Sequence, residues 1–371
     1  MPDEADLNMV VAGLLSDLAI VHTSEQRKWG YKRAASAIRG LDVPLPSLVA
    51  PDGTLPRIHG IGPASTRVIT EVLATGTSPT VERAVAGSSR AADVHTRRTL
   101  RQHFLSRARV REVLASGDAA TPGVAQYQGD LHMHSTWSDG SQSLEDIAGA
   151  ALARGHTYAA ITDHSAGLPV ARGVSIERFV EQHREIDAIN ASLEGRLRLL
   201  KGVEANILAD GTVDVDPTDR RLFDIVVAAP HSVLRSPLPQ TARLVRAATA
   251  PGVHILGHPR GRMYGSRAGV VADWPEVFAA AAAAGVAVEL DGDPSRQDLD
   301  HVLARQALEA GCLFALDSDA HGVGQSVYAD TAIAHARLTG IPRERVVNCW
   351  PLPRLLDWAR TRSAQALAGV G

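Results

Sequence analysis

The sequence has little of several features that define protein classes. Two cysteines occur among 371 residues, so we predict reduced, buried thiols. No apolar run approaches the roughly 20 residues that a membrane span requires. Acidic residues at positions 3, 4 and 6 stand where a secretory signal carries basic ones. We therefore predict a cytoplasmic protein that does not contact a membrane.

The sequence also lacks a strong net charge. Its formal net charge of -3 excludes a polycation. The charge is uneven along the chain. The first 120 residues carry a small excess of basic residues, and the remainder carries an acidic excess. The basic part permits a contact with nucleic acid, and the acidic part suits cation binding.

The pattern of apolar residues before position 128 predicts a helical module. Apolar residues recur every three or four positions from 7 to 40, which predicts helices with one buried face. Residues 43–56 are rich in proline and glycine and predict a loop, after which a helix begins at Pro63. The other predicted segments are a helix at 78–86, an arginine-rich helical stretch at 90–115 and a linker at 118–128.

Beyond residue 128, strand-like apolar segments alternate with helical stretches, which we predict at 143–154, 176–191, 238–248, 273–284, 298–310 and 330–338. This alternation predicts an α/β fold with a parallel sheet. Most of the segments end in His, Asp or Glu, which favours a barrel, because a barrel rim brings the carboxyl ends of its strands around one centre. We therefore predict a seven-stranded (βα) barrel. The seven segments are 129–134, 158–164, 197–204, 225–231, 254–258, 286–291 and 312–321.

The residues at these ends form a candidate set of metal ligands. Residues two apart on a strand point to the same side, so His132 and His134 can reach one ion. Mixed imidazole and carboxylate ligands suit Zn, Mn or Fe. Nine ligands exceed the roughly four to six that one ion takes, and they suffice for two or three ions if the central carboxylate of Glu204 bridges. The nine are His132, His134, Asp139, His164, Glu204, His231, His258, Asp319 and His321.

Six successive motifs, spread over roughly residues 129–360, resemble those of the PHP (polymerase and histidinol phosphatase) superfamily. All nine candidate ligands match ligand positions of that pattern. The motifs are Asp130-Leu-His-Met-His-Ser-Thr-Trp-Ser-Asp-Gly140, Thr162-Asp-His-Ser165, Gly202-Val-Glu204, His231-Ser232, Gly257-His-Pro-Arg-Gly-Arg262 and Asp317-Ser-Asp-Ala-His321.

The resemblance implies a distorted seven-stranded barrel with three divalent metal ions and phosphoesterase chemistry. It implies that metal-bound water attacks the phosphorus atom, and that catalysis depends on Glu204, His231, Asp319 and Arg262. Arg262, Arg296 and Arg172 are candidates for gripping the phosphate, and structural ion pairs are the alternative for each. The implied grouping is His132, His134 and Asp319 for the first ion, Glu204, His231 and His258 for the second, and Asp139, His164 and His321 for the third.

Within the superfamily, the sequence is most similar to the C-terminal PHP domain of bacterial family-X DNA polymerases. The segments Arg172-Gly-Val-Ser175, 288–296 and Arg345-Val-Val-Asn348 carry this similarity. Residues 86–128 leave no room for a nucleotidyltransferase palm, so we do not expect polymerase activity.

The N-terminal region is also similar to those polymerases, at Asn8, Arg33-Ala-Ala35 and Leu55–Gly62. The Gly60-Ile-Gly62 turn resembles a helix-hairpin-helix, whose backbone N–H groups hold a DNA phosphate without reading sequence. Gly60 and Gly62 are therefore candidate DNA contacts. The alternative is a tight helical corner. Arginines at 97, 98, 101, 107, 109 and 111 either contact phosphate or form a solvated face.

These observations predict a helix-hairpin-helix domain at 1–88, a helical connector at 89–128 and a PHP domain at 129–371. The preferred function is a metal-dependent phosphoric ester hydrolase acting on DNA, as a 3′-5′ exonuclease, a 3′-phosphatase or an abasic-site nuclease. A phosphatase of small esters such as histidinol phosphate is the alternative enzyme. A non-catalytic scaffold that binds DNA and structural metal is the third hypothesis.

Overall fold

A computed structural model describes residues 5–116 and 119–368 of the chain. It divides into two compact units, Met1–Ser116 with Tyr264–Ser266, and Gly117–Met263 with Arg267–Gly371. The predicted domain limits at residues 88 and 128 stay predictions. In the structure, the buried Val94 belongs to the same hydrophobic core as Leu15 and Ile38.

The first unit is helical and is called the helical unit below. Asp6 caps its first helix by accepting a hydrogen bond from the Met9 amide at 3.0 Å, which satisfies one of the free N–H groups at a helix start. The buried Asn8 side chain holds the loop after the second helix, because it accepts a hydrogen bond from the Leu45 amide at 2.8 Å. The helices are α1 (Leu7–Val21), α2 (Glu25–Arg39), α3 (Pro63–Thr75), α4 (Pro79–Ala86), α5 (Ala91–Thr99) and α6 (Arg107–Ala115).

The Gly60–Gly62 turn leads directly into α3. Gly60 has φ +81°, a conformation that favours glycine, and Gly62 is the N-cap before Pro63. The helix predicted at Pro63 is therefore present. A helix-hairpin-helix is not confirmed, because the short 3-10 helix Leu45–Leu48 and irregular backbone, rather than an α-helix, precede the turn.

Buried charge organises the helical unit around Asp17, whose side chain is 1% exposed. Its carboxylate accepts from Arg98 Nε at 2.7 Å and also from the guanidinium of Arg101. The Arg101 side chain is itself only 6% exposed. A guanidinium buried to that extent depends on its carboxylate partner.

The second unit is an α/β unit built on a parallel sheet. Its strands are β1 (Tyr158–Ile161), β2 (Arg198–Asn206), β3 (Ile225–Ala229), β4 (Ile255–Leu256), β5 (Ala287–Asp291) and β6 (Leu313–Asp317). Its helices are α7 (Leu144–Ala153), α8 (Ile176–Ser192), α9 (Thr241–Ala248), α10 (Trp274–Ala284), α11 (His301–Glu309), α12 (Ala329–Thr339) and α13 (Leu352–Ala368). Most begin and end within a few residues of the predicted positions, and no predicted helix covers α13.

The six strands lie in the order β1-β2-β3-β4-β5-β6, and every neighbouring pair is parallel. The sheet is curled into a half-barrel. Ala160, Leu200 and Val227 contribute to a core that also contains Leu355 and Ala359 of α13. Because all six strands run the same way, their carboxyl ends lie on one edge.

The prediction of seven strands is not confirmed, because residues 129–134 form irregular backbone. Side-chain oxygens take the amide protons that a strand ladder would use. The Leu131 amide donates to Asp317 Oδ1 at 2.8 Å, and the Met133 amide donates to Thr162 Oγ1 at 2.9 Å. The segment nevertheless contacts both neighbouring strands. The Asp130 carbonyl accepts a hydrogen bond from the Ala160 amide of β1, and the His134 amide donates to the Ala320 carbonyl just beyond β6, at 2.8 Å.

Both cysteines are free; Cys312 is buried and Cys349 is partly buried. Burial raises the pKa of each thiol to about 12, so both are protonated at neutral pH. Among the residues that the structure describes, no helix combines the length and the apolar character that crossing a membrane would require.

We expect Asp17→Ala to lower the free energy of unfolding by about 3–5 kcal/mol, because it leaves the Arg101 guanidinium buried without its carboxylate. Asp42→Ala is the matched control. Asp42 also contacts two arginines, Arg107 and Arg111, at 2.8 and 2.7 Å, but its side chain is 49% exposed. The control is expected to cost about 1 kcal/mol or less. Urea unfolding followed by circular dichroism measures both, and equal losses would contradict the assignment.

Candidate metal centre

The nine predicted ligands come together at the carboxyl edge of the sheet. Glu204 lies on β2, and five others follow β1, β3, β4 and β6 by two to four residues. His132 and His134 come from the irregular segment before β1, and Asp139 from the turn that follows it. A parallel sheet places these ends side by side, which explains how ligands almost 190 positions apart in the sequence meet.

The Glu204 carboxylate lies at the middle of the set and is 1% exposed. Its Oε2 atom is 2.8 Å from His164 Nδ1, 3.4 Å from His132 Nε2 and 3.5 Å from His134 Nε2. Its Oε1 atom is 2.9 Å from His258 Nε2 and 3.1 Å from His231 Nε2. Five imidazoles therefore surround one carboxylate, the arrangement expected of a bridging ligand.

Asp139 gathers a second group on the more open side of the centre. Its Oδ1 atom is 3.4 Å from His321 Nε2, 3.6 Å from His164 Nε2 and 3.9 Å from His134 Nδ1. The side chains of Asp139 and His321 are both 31% exposed, whereas Glu204 is almost fully buried. Solvent therefore reaches the centre from this side.

Asp319 completes the centre on a third side. Its Oδ1 atom is 3.1 Å from His134 Nε2 and 3.7 Å from His132 Nε2. The backbone at Asp319 has φ +49°, an uncommon conformation for a residue with a side chain. Such strain is often found where side-chain placement serves a site.

The donor atoms fit divalent metal ions. In a tetrahedral zinc site with bonds of about 2.1 Å, ligand atoms lie roughly 3.4 Å apart, and the separations above bracket this value. Three groups have all their donor atoms within 4.8 Å of one another. Several of these buried atoms have no hydrogen-bond partner, including Nε2 of His132, Nε2 of His231 and Oε2 of Glu204. The groups are His134, Asp139, His164 and His321; His132, His134 and Glu204; and His164, Glu204 and His231.

The acids hold their charge and raise the basicity of several imidazoles. Burial opposes ionisation of Glu204, but His164, His231 and His132 outweigh it and hold the pKa of this carboxyl well below its ordinary value. Burial also disfavours a charged His132, yet Glu289, Glu204 and Asp319 raise its pKa well above the ordinary value.

On the exposed side of the centre, burial and neighbouring charges again have opposite effects on the pKa values. Burial opposes the charge of His321, but Asp139 and Asp319 raise its pKa to about 9. Burial acts against ionisation of Asp139, but His321, His134 and His164 lower its pKa to about 2. For His134, burial and the neighbouring His164 lower the pKa to about 4. The metal-free centre therefore carries protons on some imidazoles and not on others.

Residues behind the ligands fix their orientation, and sequence analysis did not assign them this role. Glu289 Oε1 lies 2.7 Å from His132 Nδ1, which directs Nε2 of that imidazole to the centre. Asn206 Oδ1 is 2.8 Å from His231 Nδ1 and does the same for His231. The available signal for Glu289 was an acid in the middle of an apolar, fully buried strand, Ala287–Asp291.

Asp163 shapes the turn that presents Asp139. It accepts from the Ser135 amide at 2.8 Å, from Ser138 Oγ at 2.5 Å and from Gln182 Nε2 at 2.6 Å. Gly140 ends the turn, where a Cβ atom would lie only 2.4 Å from the His134 carbonyl oxygen. This close approach requires glycine.

Arg243 ties together the loops that follow β2 and β3. Its guanidinium donates to the carbonyls of Ile207 at 2.5 Å, Leu208 at 2.8 Å and Ser232 at 2.9 Å. Ser232 follows His231 directly, and Ile207 follows Asn206. Arg243 therefore holds both the ligand and the residue that orients it.

The three predicted phosphate-gripping arginines lie in different surroundings. Arg262 is buried and donates to Asp300 Oδ2 at 2.9 Å and to the Arg296 carbonyl at 2.9 Å, which favours a structural role. Arg296 is 25% exposed, and its Nη2 lies 3.4 Å from Asp319 Oδ2, so it lies next to a ligand. Arg172 is exposed and adopts φ +56°.

Comparisons with known proteins identify the family of the chain. A family model described as the PHP domain matches residues 130–255. A protein named DNA polymerase/3′-5′ exonuclease PolX, from Bacillus subtilis (strain 168), is 41% identical over 226 residues, 61% of this chain. A probable phosphatase of Edwardsiella ictaluri (strain 93-146) is 30% identical over 247 residues, 64% of this chain and 95% of that protein. The chain belongs to the PHP family.

This membership confirms the resemblance predicted from the motifs, including the similarity to the PHP domain of family-X polymerases. It also confirms the prediction of a metal-dependent phosphoric ester hydrolase.

The match covers only 40% of the length of the Bacillus protein. Among solved structures, histidinol phosphate phosphatase from Lactococcus lactis, complexed with zinc, L-histidinol and phosphate, matches this PHP chain with a TM-score of 0.38 and 16% identity, over 65% of this chain and 94% of that one.

Loading the metal-free protein at pH 7.5 should release protons. Imidazoles bind metal only when neutral, whereas the pKa of His321, raised to about 9, keeps this imidazole protonated at pH 7.5. The pKa of His132 is raised in the same direction by Glu289, Glu204 and Asp319. Zinc titrations by calorimetry, in buffers of different ionisation enthalpy, measure the number released. We expect His321→Asn to release about one proton fewer. Heats that are identical in all buffers would refute the protonation assigned to the centre.

Glu289→Gln should weaken metal binding by about 10- to 100-fold, the usual effect of losing a group that orients a ligand. The amide preserves the shape of the side chain but no longer accepts a charge-assisted hydrogen bond from His132. Metal retained after competition with a chelator measures the affinity. Glu309→Gln, at an exposed position of α11, is the control and should match the unmodified protein. Unchanged affinity in Glu289→Gln would show that Glu289 does not support His132.

Proposed function

We propose that this PHP protein hydrolyses phosphate esters in DNA, as a 3′-5′ exonuclease, a 3′-phosphatase or an abasic-site nuclease. The observation that carries the phosphoesterase part is the buried Glu204 carboxylate amid five imidazoles. The choice of DNA follows from the 41% identity to the Bacillus protein named as a polymerase and 3′-5′ exonuclease.

We further propose a trinuclear centre of Zn, Mn or Fe. Asp139, His164 and His321 would hold one ion, His132, His134 and Asp319 another, and His231 and His258 a third together with Glu204. Such ions, when bound, supply a hydroxide nucleophile at neutral pH and neutralise phosphate oxygens. Glu204, with an oxygen atom close to each set of imidazoles, is the group that would link the ions.

The residues of the chain then position the substrate. Arg296 lies beside Asp319, and burial opposes its charge, but the Asp319, Asp291 and Glu204 carboxylates outweigh this and raise its pKa. It therefore remains a cation at the edge of the centre, where its free N–H groups can hold a phosphate oxygen. The exposed side at Asp139 and His321 gives the phosphate its entry. Arg262, held by Asp300, would support Arg296 through the carbonyl that it contacts.

The helical unit supplies a second reason to propose DNA. Gly60 and Gly62 line a cavity of about 430 Å³ together with Arg27 and Arg33. Gly62 provides no side-chain cap for α3, so the first N–H groups of that helix remain available to an anion. Two arginines and a helix start suit a DNA phosphate, and the contact would be independent of base sequence.

A second substrate class is the alternative. The Edwardsiella protein, of which this chain covers 95%, is named a probable phosphatase, and a small phosphate ester such as histidinol phosphate is the alternative substrate that we test. The scaffold that holds DNA and structural metal without catalysis is not favoured. Structural zinc needs only a closed four-ligand site, whereas the centre here has nine candidate ligands and an exposed side, which favours an enzyme.

We expect the protein, supplied with Mn or Zn, to shorten a 5′-labelled single-stranded oligonucleotide to a ladder of products. His132→Ala, run in parallel, should reduce the rate by about a hundredfold or more, because it removes a ligand and not merely its support. Gel electrophoresis measures the products.

Histidinol phosphate, assayed in parallel for free phosphate, separates the alternatives. Release of phosphate from this ester with intact DNA would replace the DNA proposal by the metabolite phosphatase. Hydrolysis of neither substrate, in protein with verified metal content, would favour the scaffold.

A further inference from the structure

A cavity of about 400 Å³ in the helical unit has a strongly basic lining. It lies beside α1, α2 and α5, and none of the nine candidate metal ligands lines it. One acid, Glu25, does so. The cations around it are Lys28, Lys32, Arg90, Arg97 and Arg101.

The nearby acids do not neutralise these cations. Asp93 is shared between Arg90 at 2.6 Å and Arg97 at 3.0 Å. Lys28 contacts Glu25 at 2.6 Å. Lys32 lies over the Trp29 ring, 5.3 Å from its centroid, and forms no ion pair with a carboxylate in the described part of the chain.

The fifth cation, Arg101, is bound to Asp17. That carboxylate also contacts Arg98, which has Glu82 as a second acid partner at 2.7 Å. This group therefore adds no net charge, and the excess comes from the two lysines, which have one acid, and from the shared Asp93. Positive charge remains around the cavity once these ion pairs are taken into account, and a cavity with such walls attracts anions.

The cationic groups are also held in place. Arg90 donates to the Ile20 carbonyl at 2.7 Å and Arg97 to the Gly265 carbonyl at 2.8 Å, both within the helical unit. The Arg90 and Arg97 side chains nevertheless remain 46% and 42% exposed. Fixed cations with accessible N–H groups lose little conformational entropy when a ligand binds.

We propose that this cavity binds a phosphate group, either of a DNA strand or of a free mononucleotide. Its volume lies in the range of about 300–1,000 Å³ that is typical of small-molecule sites. Guanidinium and ammonium groups are the usual ligands of phosphate. The DNA source rests on the proposed function, whereas the cavity itself does not.

The arginine-rich stretch predicted at 90–115 thereby separates into two parts. Arg97 and Arg101 face the cavity, whereas Arg107 and Arg111 on α6 both contact the exposed Asp42 and do not line it. Arg107 and Arg111 provide a matched control for Lys28 and Lys32, because each pair carries two positive charges and contacts a single acid.

The test measures binding of a fluorescent, phosphorothioate-linked single-stranded oligonucleotide to the metal-loaded, full-length protein by anisotropy. Lys28→Gln/Lys32→Gln should weaken binding about tenfold or more, and the slope of log affinity against log salt should fall by roughly 0.7 for each phosphate that the variant no longer binds. Arg107→Gln/Arg111→Gln should bind within about twofold of the unmodified protein, since it removes exposed charge only. Thermal unfolding verifies that both variants are folded.

Competition by thymidine 5′-monophosphate and by inorganic phosphate identifies the source of the phosphate. If Lys28→Gln/Lys32→Gln weakens binding of the oligonucleotide alone, the result supports DNA as the ligand. If it weakens binding of the mononucleotide alone, the result supports a free nucleotide. Equal weakening by both double variants would show that only overall charge matters and would overturn the proposal, as would no weakening by either. Because binding is measured without hydrolysis, a protein that binds through the cavity but cleaves no DNA would refute the proposed function and leave the cavity proposal standing.

Discussion

The buried carboxylate of Glu204 is the constraint on which the α/β unit depends. A carboxylate at this depth is costly unless opposite charge or a metal lies close to it. Five imidazoles within 3.5 Å meet that requirement. The imidazoles in turn must be oriented, which explains why a further buried layer, with Glu289, Asn206 and Asp163, stands behind them. Charge compensation therefore organises two layers of polar residues in an otherwise apolar sheet.

The same requirement explains why each strand has apolar residues along its length and polar residues near its carboxyl end. Residues such as Ala160, Leu200 and Val227 fill the core, and most of the candidate ligands lie at the strand ends and in the loops beyond them, whereas Glu289 supports a ligand from inside β5. The carboxyl edge can therefore be optimised for chemistry without loss of core packing. Arg243 shows how the loops are held, since one buried guanidinium connects the segments after β2 and β3 through three backbone carbonyls and the Ser232 hydroxyl.

Much of this arrangement could be predicted from the sequence, because it follows from local pattern. Strand-helix alternation predicted the parallel sheet, and His, Asp and Glu at the strand ends predicted which residues would converge. The helix predicted at 143–154 is observed as Leu144–Ala153, because Ser143 and Asp146 form a capping box that is visible in the sequence.

What escaped prediction depends on contacts between distant segments. Residues 129–134 have the composition of a strand, but Asp317 and Thr162 take their amide protons, and neither partner is local. Glu289 and Asn206 support ligands on other strands, so their role appears only in three dimensions. The helix-hairpin-helix was predicted from a glycine turn, whereas a short 3-10 helix and irregular backbone precede that turn in the structure. The Asn8 side chain, which is distant in the sequence, holds Val43 and Leu45 at the start of this segment.

The contact between His134 and Ala320 has a consequence for the order of folding. The hydrogen bond joins residues 186 positions apart in the sequence, from the His134 amide to the Ala320 carbonyl at 2.8 Å. Loops of this length close slowly, because their entropy must be lost before the contact forms. During synthesis, His132 and His134 leave the ribosome long before Asp319 and His321. The two early histidines therefore stay without their Asp319 and His321 neighbours until the segment that contains β6 has been synthesised.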